Sequence, residues 1–113
     1  MAASDERSDQ LASGVIDLLV LRLLADGENY VYVLTAELVG HGLKDLRETT
    51  VYTAVKRLER SGLLQSRREV TTGGRPRRYY SLTEVGRSER QRREHAWRDL
   101  TDVVVSVLGA RSR

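Results

Sequence analysis

The feature that most constrains the fold of this chain is a change of hydrophobic period after Gly62. Before that glycine, apolar residues recur at helical spacing in three segments. The stretch after it, LLQSRREV-TTGGRP-RRYYSL, has the composition of two short strands joined by a glycine-containing loop. From Thr83 a helical pattern returns and continues to VVVSVLG. The predicted order is three helices, a β-hairpin and a long helix, so the chain is mainly α with a small β-hairpin.

Capping residues and glycines indicate where the helices begin and end. Ser13 is the predicted N-cap of the first helix, which runs through VIDLLVLRLLA until Gly27 stops it. The second helix is NYVYVLTAELVGHGL, although its leading YVYV alternates like a strand. The third is ETTVYTAVKRLERSG, with Gly62 just beyond its end. Thr83 is the predicted N-cap of the fourth helix.

Length and composition limit the class of protein. A chain of 113 residues forms one domain, which we divide into a mobile N-terminal tail (1–10), a folded unit (11–82) and a C-terminal helix (83–113). The acidic, polar N-terminus does not resemble a signal peptide. The longest apolar run is interrupted by Asp17 and Arg22 and is too short to span a membrane. We therefore expect a cytoplasmic protein with no membrane partner.

The residue types that catalysis or metal binding requires do not cluster in the sequence. The chain has no cysteine, which excludes disulfides, thiolate zinc sites and a cysteine nucleophile. Neither His41 nor His95 has a nucleophile or a carboxylate pair at a recognisable spacing. The GGRP stretch lacks the following Lys-Ser/Thr of a phosphate-binding loop. We expect no enzyme activity, no catalytic or metal-binding residues and no cofactor.

The outward face of the third helix carries hydroxyl groups, an aromatic ring and cations. With Val51, Val55 and Leu58 directed inward, the residues on this face are Thr49, Thr50, Tyr52, Thr53, Lys56, Arg57 and Arg60. Thr and Tyr side chains can contact base edges, whereas Lys and Arg reach phosphates or guanine. A solvated helix face is the simpler interpretation when this helix is considered alone.

The predicted hairpin adds a second cationic feature. Arg75, Arg77 and Arg78 follow two glycines on a tight loop and cannot all point inward. Strand alternation sends one of Tyr79 and Tyr80 to the core and the other outward. Three helices followed by a hairpin is the layout of a winged helix-turn-helix, in which the third helix binds double-stranded DNA and the hairpin is the wing. We predict that Arg75 and Arg77 lie along the sugar-phosphate backbone or in the minor groove.

Three segments of the chain also match the pattern of a known family. They are TTVYTAVKRLERSGLL for its third helix, GGRPRRYYSLTEVGR for its wing, and IDLLVLRLLADGENYVYVLTAEL for its first two helices. On these residues the chain resembles the PadR-like transcriptional regulators, with Tyr30-Val31 at the usual His-Gly and Thr53 at the usual Pro. The resemblance implies a homodimeric repressor of the shorter subgroup. It places DNA contacts at Thr50, Tyr52, Thr53, Lys56 and Arg57 of the recognition helix and at Arg75 and Arg77 of the wing.

The last helix carries an apolar stripe with residues at spacings of three and four. These residues are Trp97, Leu100, Val104 and Val107. A stripe on a helix that extends past the core needs a partner, which predicts a homodimer, and folding back on the first helix is the alternative. The resemblance also implies a small aromatic ligand beside Trp97, although interface packing explains this indole equally well. On the polar face, Glu89 is predicted to pair with Arg93.

A second function remains compatible with the same fold. A winged-helix module that docks on another protein and never touches DNA would predict an apolar exposed face on the third helix. Thr49, Thr53, Lys56 and Arg57 are instead polar or cationic. The sequence therefore favours a sequence-specific DNA-binding transcriptional regulator that binds a pseudo-palindromic operator.

Overall fold

The structure, a computed structural model, describes residues 14–70 and 73–109. Helix α1 covers residues 14–24 of this part, and the remaining elements are α2 (Val31–Gly40), α3 (Glu48–Arg60), β1 (Leu64–Val70), β2 (Pro76–Leu82) and α4 (Glu84–Leu108). The predicted order of elements is confirmed. The predicted tail (1–10) and the predicted cap at Ser13 lie outside the described residues.

One aliphatic core joins the first three helices to the base of the hairpin. The apolar side chains of each helix that share a face are buried together, as helical spacing requires. Tyr80 is the one aromatic residue of this core. The cluster consists of Ile16, Val20, Leu21, Leu24, Leu34, Leu38, Val51, Ala54, Val55, Leu58, Leu63, Leu64, Tyr80 and Leu82. The predicted inner stripe of the third helix is thereby confirmed.

The two strands form an antiparallel hairpin, which with its connecting loop (residues 64–82) we call the wing. The register runs from Leu64 opposite Leu82 to Val70 opposite Pro76. Because side chains alternate between the two faces of a strand, Tyr80 is buried whereas Tyr79 is only half-buried on the other face. The prediction that one tyrosine points inward is confirmed.

A single-residue β-bridge at Asn29, which the sequence pattern did not predict, joins the segment before α2 to the wing. The backbone N–H of Asn29 donates to the carbonyl of Tyr80 at 3.1 Å, and the N–H of Tyr80 donates to the carbonyl of Asn29 at 2.8 Å. Helix α2 begins two residues later, at Val31. The strand-like alternation of YVYV therefore belongs to a helix, and the extended segment precedes it.

The junction between the wing and α4 is fixed by Thr83 and Gly86. The Thr83 hydroxyl accepts a hydrogen bond from the Gly86 N–H at 2.9 Å, as predicted for an N-cap, and donates to the Gly62 carbonyl at 2.7 Å. A methyl group at Gly86 would lie 2.0 Å from the carbonyl oxygen of Leu63. Only glycine allows α4 to start this close to the backbone that leads into β1.

Helix α4 leaves the core and exposes its apolar stripe. Trp97 is 45% exposed and Val107 is 74% exposed, and the other stripe residues are exposed as well. The stripe therefore does not fold back on α1, which was the alternative for this helix. The first turns of α4 do approach α1, where Glu94 lies 3.9 Å from Arg22. None of the helices in the described ranges is long and apolar enough to cross a membrane.

We expect Gly86→Ala to lower the free energy of unfolding by about 2 kcal/mol or more, because the new methyl group clashes with a main-chain oxygen that cannot move freely. Urea unfolding measures this change. Gly40→Ala is the matched control, since a methyl group there meets no atom within 4 Å. Equal stability of the two variants would contradict this account of the junction.

Candidate nucleic-acid interface

The outward face of α3 presents the predicted hydroxyl groups to solvent. Thr49, Thr50, Tyr52 and Thr53 are exposed, whereas Lys56 is half-buried. Helix α3 starts at Glu48 without a side-chain cap, so its first backbone N–H groups are not covered by a capping side chain. This face can donate and accept hydrogen bonds and offers one aromatic ring.

The wing and α3 meet at an open groove. Tyr52 and Lys56 line it from α3, and Arg75 and Arg77 line it from the wing. The first residues of α2 close a third side with Tyr30, Val31 and Tyr32, and Glu48 is the one acidic residue among those that line the groove. Four of the eight predicted DNA-contact residues thus share one cationic groove. Thr49, Thr50 and Thr53 lie on α3 outside it.

A chain of polar contacts links α3 to both strands of the wing. Lys56 donates to one carboxylate oxygen of Glu59 at 3.2 Å, and the Ser66 hydroxyl donates to the other at 2.8 Å. Arg78 in turn donates to the Ser66 hydroxyl at 3.1 Å. The hydrogen bond from Ser66, followed by Lys56, lowers the pKa of Glu59 below its usual value. The network therefore keeps its charges at neutral pH and fixes the wing beside α3.

Arg57 was predicted to contact DNA, but its guanidinium group is held by a different partner. It donates two hydrogen bonds to the carboxylate of Asp17 on α1, at 3.1 Å and 2.6 Å. The hydrogen bonds to this carboxylate raise the pKa of Arg57. The side chain of Asp17 is only 12% exposed. Arg57 does not line the groove, and its observed contact ties α3 to α1.

Two arginines of the wing lie over tyrosine rings. The guanidinium carbon of Arg77 lies 4.7 Å from the ring centroid of Tyr30, and that of Arg67 lies 5.0 Å from the ring centroid of Tyr79. The two rings meet edge to face with their centroids 5.3 Å apart. These distances fall within the range of cation–π and aromatic contacts. On this face of the hairpin, two arginines thus pack against tyrosine rings, one from β2 and one from the start of α2.

Sequence reasoning did not single out Arg68 and missed how it relates to Arg78. The two residues are directly opposite in the hairpin register. Like charges at such a position destabilise a sheet. Finding this pair from the sequence requires the hairpin register, which depends on where the turn lies.

Acidic residues on α4 neutralise much of its arginine content. Arg93 donates to Glu89 at 2.6 Å, which confirms the predicted pair, and Arg92 donates to the same carboxylate. These hydrogen bonds lower the pKa of Glu89 to about 2.

Across residues 14–70 and 73–109 there is no group of three or more His, Cys, Asp or Glu side chains that could hold a metal ion.

Comparison with known proteins identifies the family. Residues 20–92 match the sequence model described as "Transcriptional regulator PadR-like family". The chain belongs to the PadR-like family of transcriptional regulators. This match covers α2, α3, the wing and the beginning of α4, whereas the apolar stripe lies beyond it. PadR-like regulators are DNA-binding proteins, and the fold of this chain matches their winged helix.

Individual PadR-like relatives are similar over most of their length. The chain is 36% identical over 97 residues to Transcriptional regulator Rv3488 of Mycobacterium tuberculosis, covering 86% of each protein. A solved PadR family regulator from Eggerthella lenta superposes with a TM-score of 0.77 at 34% identity, with 96% of each chain covered. A PadR family regulator from Clostridium difficile gives a TM-score of 0.71 at 32% identity, covering 82% of this chain and 97% of that one.

We expect Arg57→Ala to lower the free energy of unfolding by about 1–2 kcal/mol, because it leaves the largely buried carboxylate of Asp17 without its partner. Adding Asp17→Asn should recover part of the loss, since a neutral amide costs less to bury than a charge. Thermal or urea unfolding measures both changes. Arg60→Ala, an exposed arginine on the same helix, should stay within about 0.5 kcal/mol of wild type. An equal effect of Arg57→Ala and Arg60→Ala would show that the pair contributes nothing specific.

Proposed function

We propose that this protein is a homodimeric repressor that binds a pseudo-palindromic DNA operator. In this proposal α3 enters the major groove and the wing lies on the adjacent backbone or in the minor groove. The groove in which Tyr52 and Lys56 face Arg75 and Arg77 is the observation that carries the proposal. Repression rests on the resemblance to PadR-like proteins.

The side chains at this surface fall into two groups according to the part of the DNA, base edges or phosphates, that each would contact. Thr49, Thr50 and Thr53 are short and exposed on α3, which suits contacts to base edges. Lys56, Arg75 and Arg77 are cations at the groove and suit contacts to phosphates. Tyr52 lies between these groups with its ring exposed and the Lys56 ammonium 5.9 Å from its centroid. We assign Arg57 to the support of α3 through Asp17.

The homodimer is supported by the exposure of the stripe on α4. Its residues have no apolar cover within the described part of the chain, although side chains of this size contribute strongly when buried. Pairing of two α4 helices along this stripe would hold two recognition helices about 34 Å apart, one turn of the duplex. The predicted interface residues are Trp97, Leu100, Val104 and Val107.

A small aromatic ligand beside Trp97 is a separate prediction with little support. Trp97 lies on an open helix surface and does not line the groove at the wing. Dimer packing explains the exposed indole without a ligand. We therefore propose the regulator without an assigned effector.

The rival function, docking on a protein partner without DNA, is disfavoured by the polar groups on α3. A gel shift with the DNA upstream of the protein's own coding sequence distinguishes the DNA-binding regulator from the protein-docking module. Binding that weakens steeply with salt is expected for the regulator. No binding even at low salt would favour the protein-docking module.

We expect Arg75→Ala to weaken binding to all duplexes alike and to reduce the slope of log K against log salt concentration by about 1, because one phosphate contact is lost. Thr53→Ala should instead change which sequence is preferred and leave the slope unchanged. Fluorescence anisotropy at several salt concentrations, with operator and scrambled duplexes, measures both effects. Arg92→Ala removes an equal charge from α4 and should change neither quantity. A uniform loss on every sequence in Thr53→Ala would refute this division.

We expect Leu100→Asp combined with Val104→Asp to convert the dimer into a monomer, because two charges cannot be buried at an apolar interface. A monomer has only one recognition helix and one wing, so operator binding should weaken about 100-fold or more. Analytical ultracentrifugation and anisotropy measure the two effects. Ser106→Asp adds one such charge about 200° around the helix from Val104, and it should leave the dimer intact, whereas Val104→Asp alone should already weaken it. A wild-type chain that stays monomeric at all concentrations would overturn the proposed dimer.

A further inference from the structure

Tyr30 contacts three side chains at the edge of the groove. The guanidinium carbon of Arg77 lies 4.7 Å from its ring centroid, and the Tyr79 ring meets it edge to face at 5.3 Å. On the other side, the Tyr32 ring stacks at 6.5 Å with an angle of 22° between the planes. Tyr30 is therefore the central ring of a cluster that connects the start of α2 to the wing.

The backbone at Tyr30 is constrained independently of its ring. The preceding residue, Asn29, pairs in both directions with Tyr80, and the side-chain oxygen of Asn29 accepts a hydrogen bond from the Tyr30 N–H at 3.1 Å. Tyr30 is itself the N-cap residue of α2, in an extended conformation. The position of the ring relative to β2 is thus set by main-chain pairing before any contact with Arg77 is made.

Two of the acidic residues near Arg77, Glu69 and Glu28, pair with another arginine, and Glu48, which also lines the groove, forms no ion pair with Arg77. Glu69 is opposite Arg77 in the hairpin register, but it pairs with Arg67 at 2.8 Å. Arg67 also forms hydrogen bonds with Glu28, the nearest carboxylate before Asn29. Among the described residues no carboxylate pairs with Arg77. A ring face holds a cation in place without cancelling its charge, whereas a carboxylate would do both.

We propose that Tyr30 is a positioning residue for DNA binding, which holds the Arg77 guanidinium group at the edge of the groove with its charge still available to a phosphate. The inference rests on the proposed function and adds a role for a residue that does not itself contact DNA. A long arginine side chain loses rotamer freedom when it is fixed on a ligand. The ring of Tyr30 fixes much of that freedom in advance.

A double-mutant cycle tests this role, with anisotropy measurements on the operator duplex. Tyr30→Leu removes the ring and should weaken binding about 3- to 5-fold, the strength expected of an exposed cation–π contact. In the Arg77→Ala background the same change should weaken binding less than about 1.5-fold, because there is no guanidinium group left to position. Tyr30→Phe keeps the ring and should bind like wild type.

The matched control is Tyr52→Leu, since Tyr52 lines the same groove but approaches Lys56 and not Arg77. Its effect should add to that of Arg77→Ala. In the free protein, NMR should show the Arg77 side-chain protons shifted upfield in wild type and Tyr30→Phe and unshifted in Tyr30→Leu. This second readout does not depend on DNA.

Each outcome decides between distinct explanations. Additive losses in the Tyr30 and Arg77 cycle would overturn the positioning role and leave the proposed function intact. A loss in Tyr30→Phe would mean that the hydroxyl group contacts DNA directly, which also overturns it. Absence of DNA binding by the wild-type protein would overturn the proposed function and this inference together.

Discussion

Tyr80 connects the wing to the rest of the molecule in two ways at once. Its ring is buried in the core with the inner face of α3, and its main chain pairs with Asn29 through hydrogen bonds of 2.8 Å and 3.1 Å. A residue so enclosed cannot shift without opening the core. The backbone of β2 that carries Arg77 and Arg78 is therefore anchored relative to α3 and α2, on one side of the groove.

The arrangement of charges matters more for this protein than their sum. The formal net charge is only +3, although the chain has 19 lysine and arginine residues. Carboxylates hold Arg57, Arg67, Arg92 and Arg93 in ion pairs that bind the fold together. Of the cations at the groove, Lys56 pairs with Glu59, whereas a ring holds Arg77 and a hydroxyl group contacts Arg78. Most of the carboxylates that pair with arginine thus lie away from the groove, which leaves the charge of Arg77 and Arg78 unpaired by a carboxylate.

The sequence allowed the elements to be predicted where local signals were strong. Gly62, Thr83 and the apolar spacing of α3 mark boundaries by local backbone chemistry, and each lies where that chemistry requires. The β-bridge at Asn29 could not be found in this way, because it depends on pairing with a residue about fifty positions later in the chain. Arg57 shows the same limit: its helical position suggests exposure, whereas its contact with Asp17 depends on how α1 packs across α3.

The tight start of α4 also has a mechanical consequence. The capping contact of Thr83 and the close approach of Gly86 to Leu63 join the wing directly to a helix of 25 residues. At 1.5 Å per residue this helix is a lever about 37 Å long, so a tilt of about 5° at its base displaces its far end by about 3 Å. In the proposed dimer, a base joined this closely would pass a change in the angle between the two α4 helices on to the hairpins. The crossing angle of two such levers would then determine which spacings between half-sites the protein accepts.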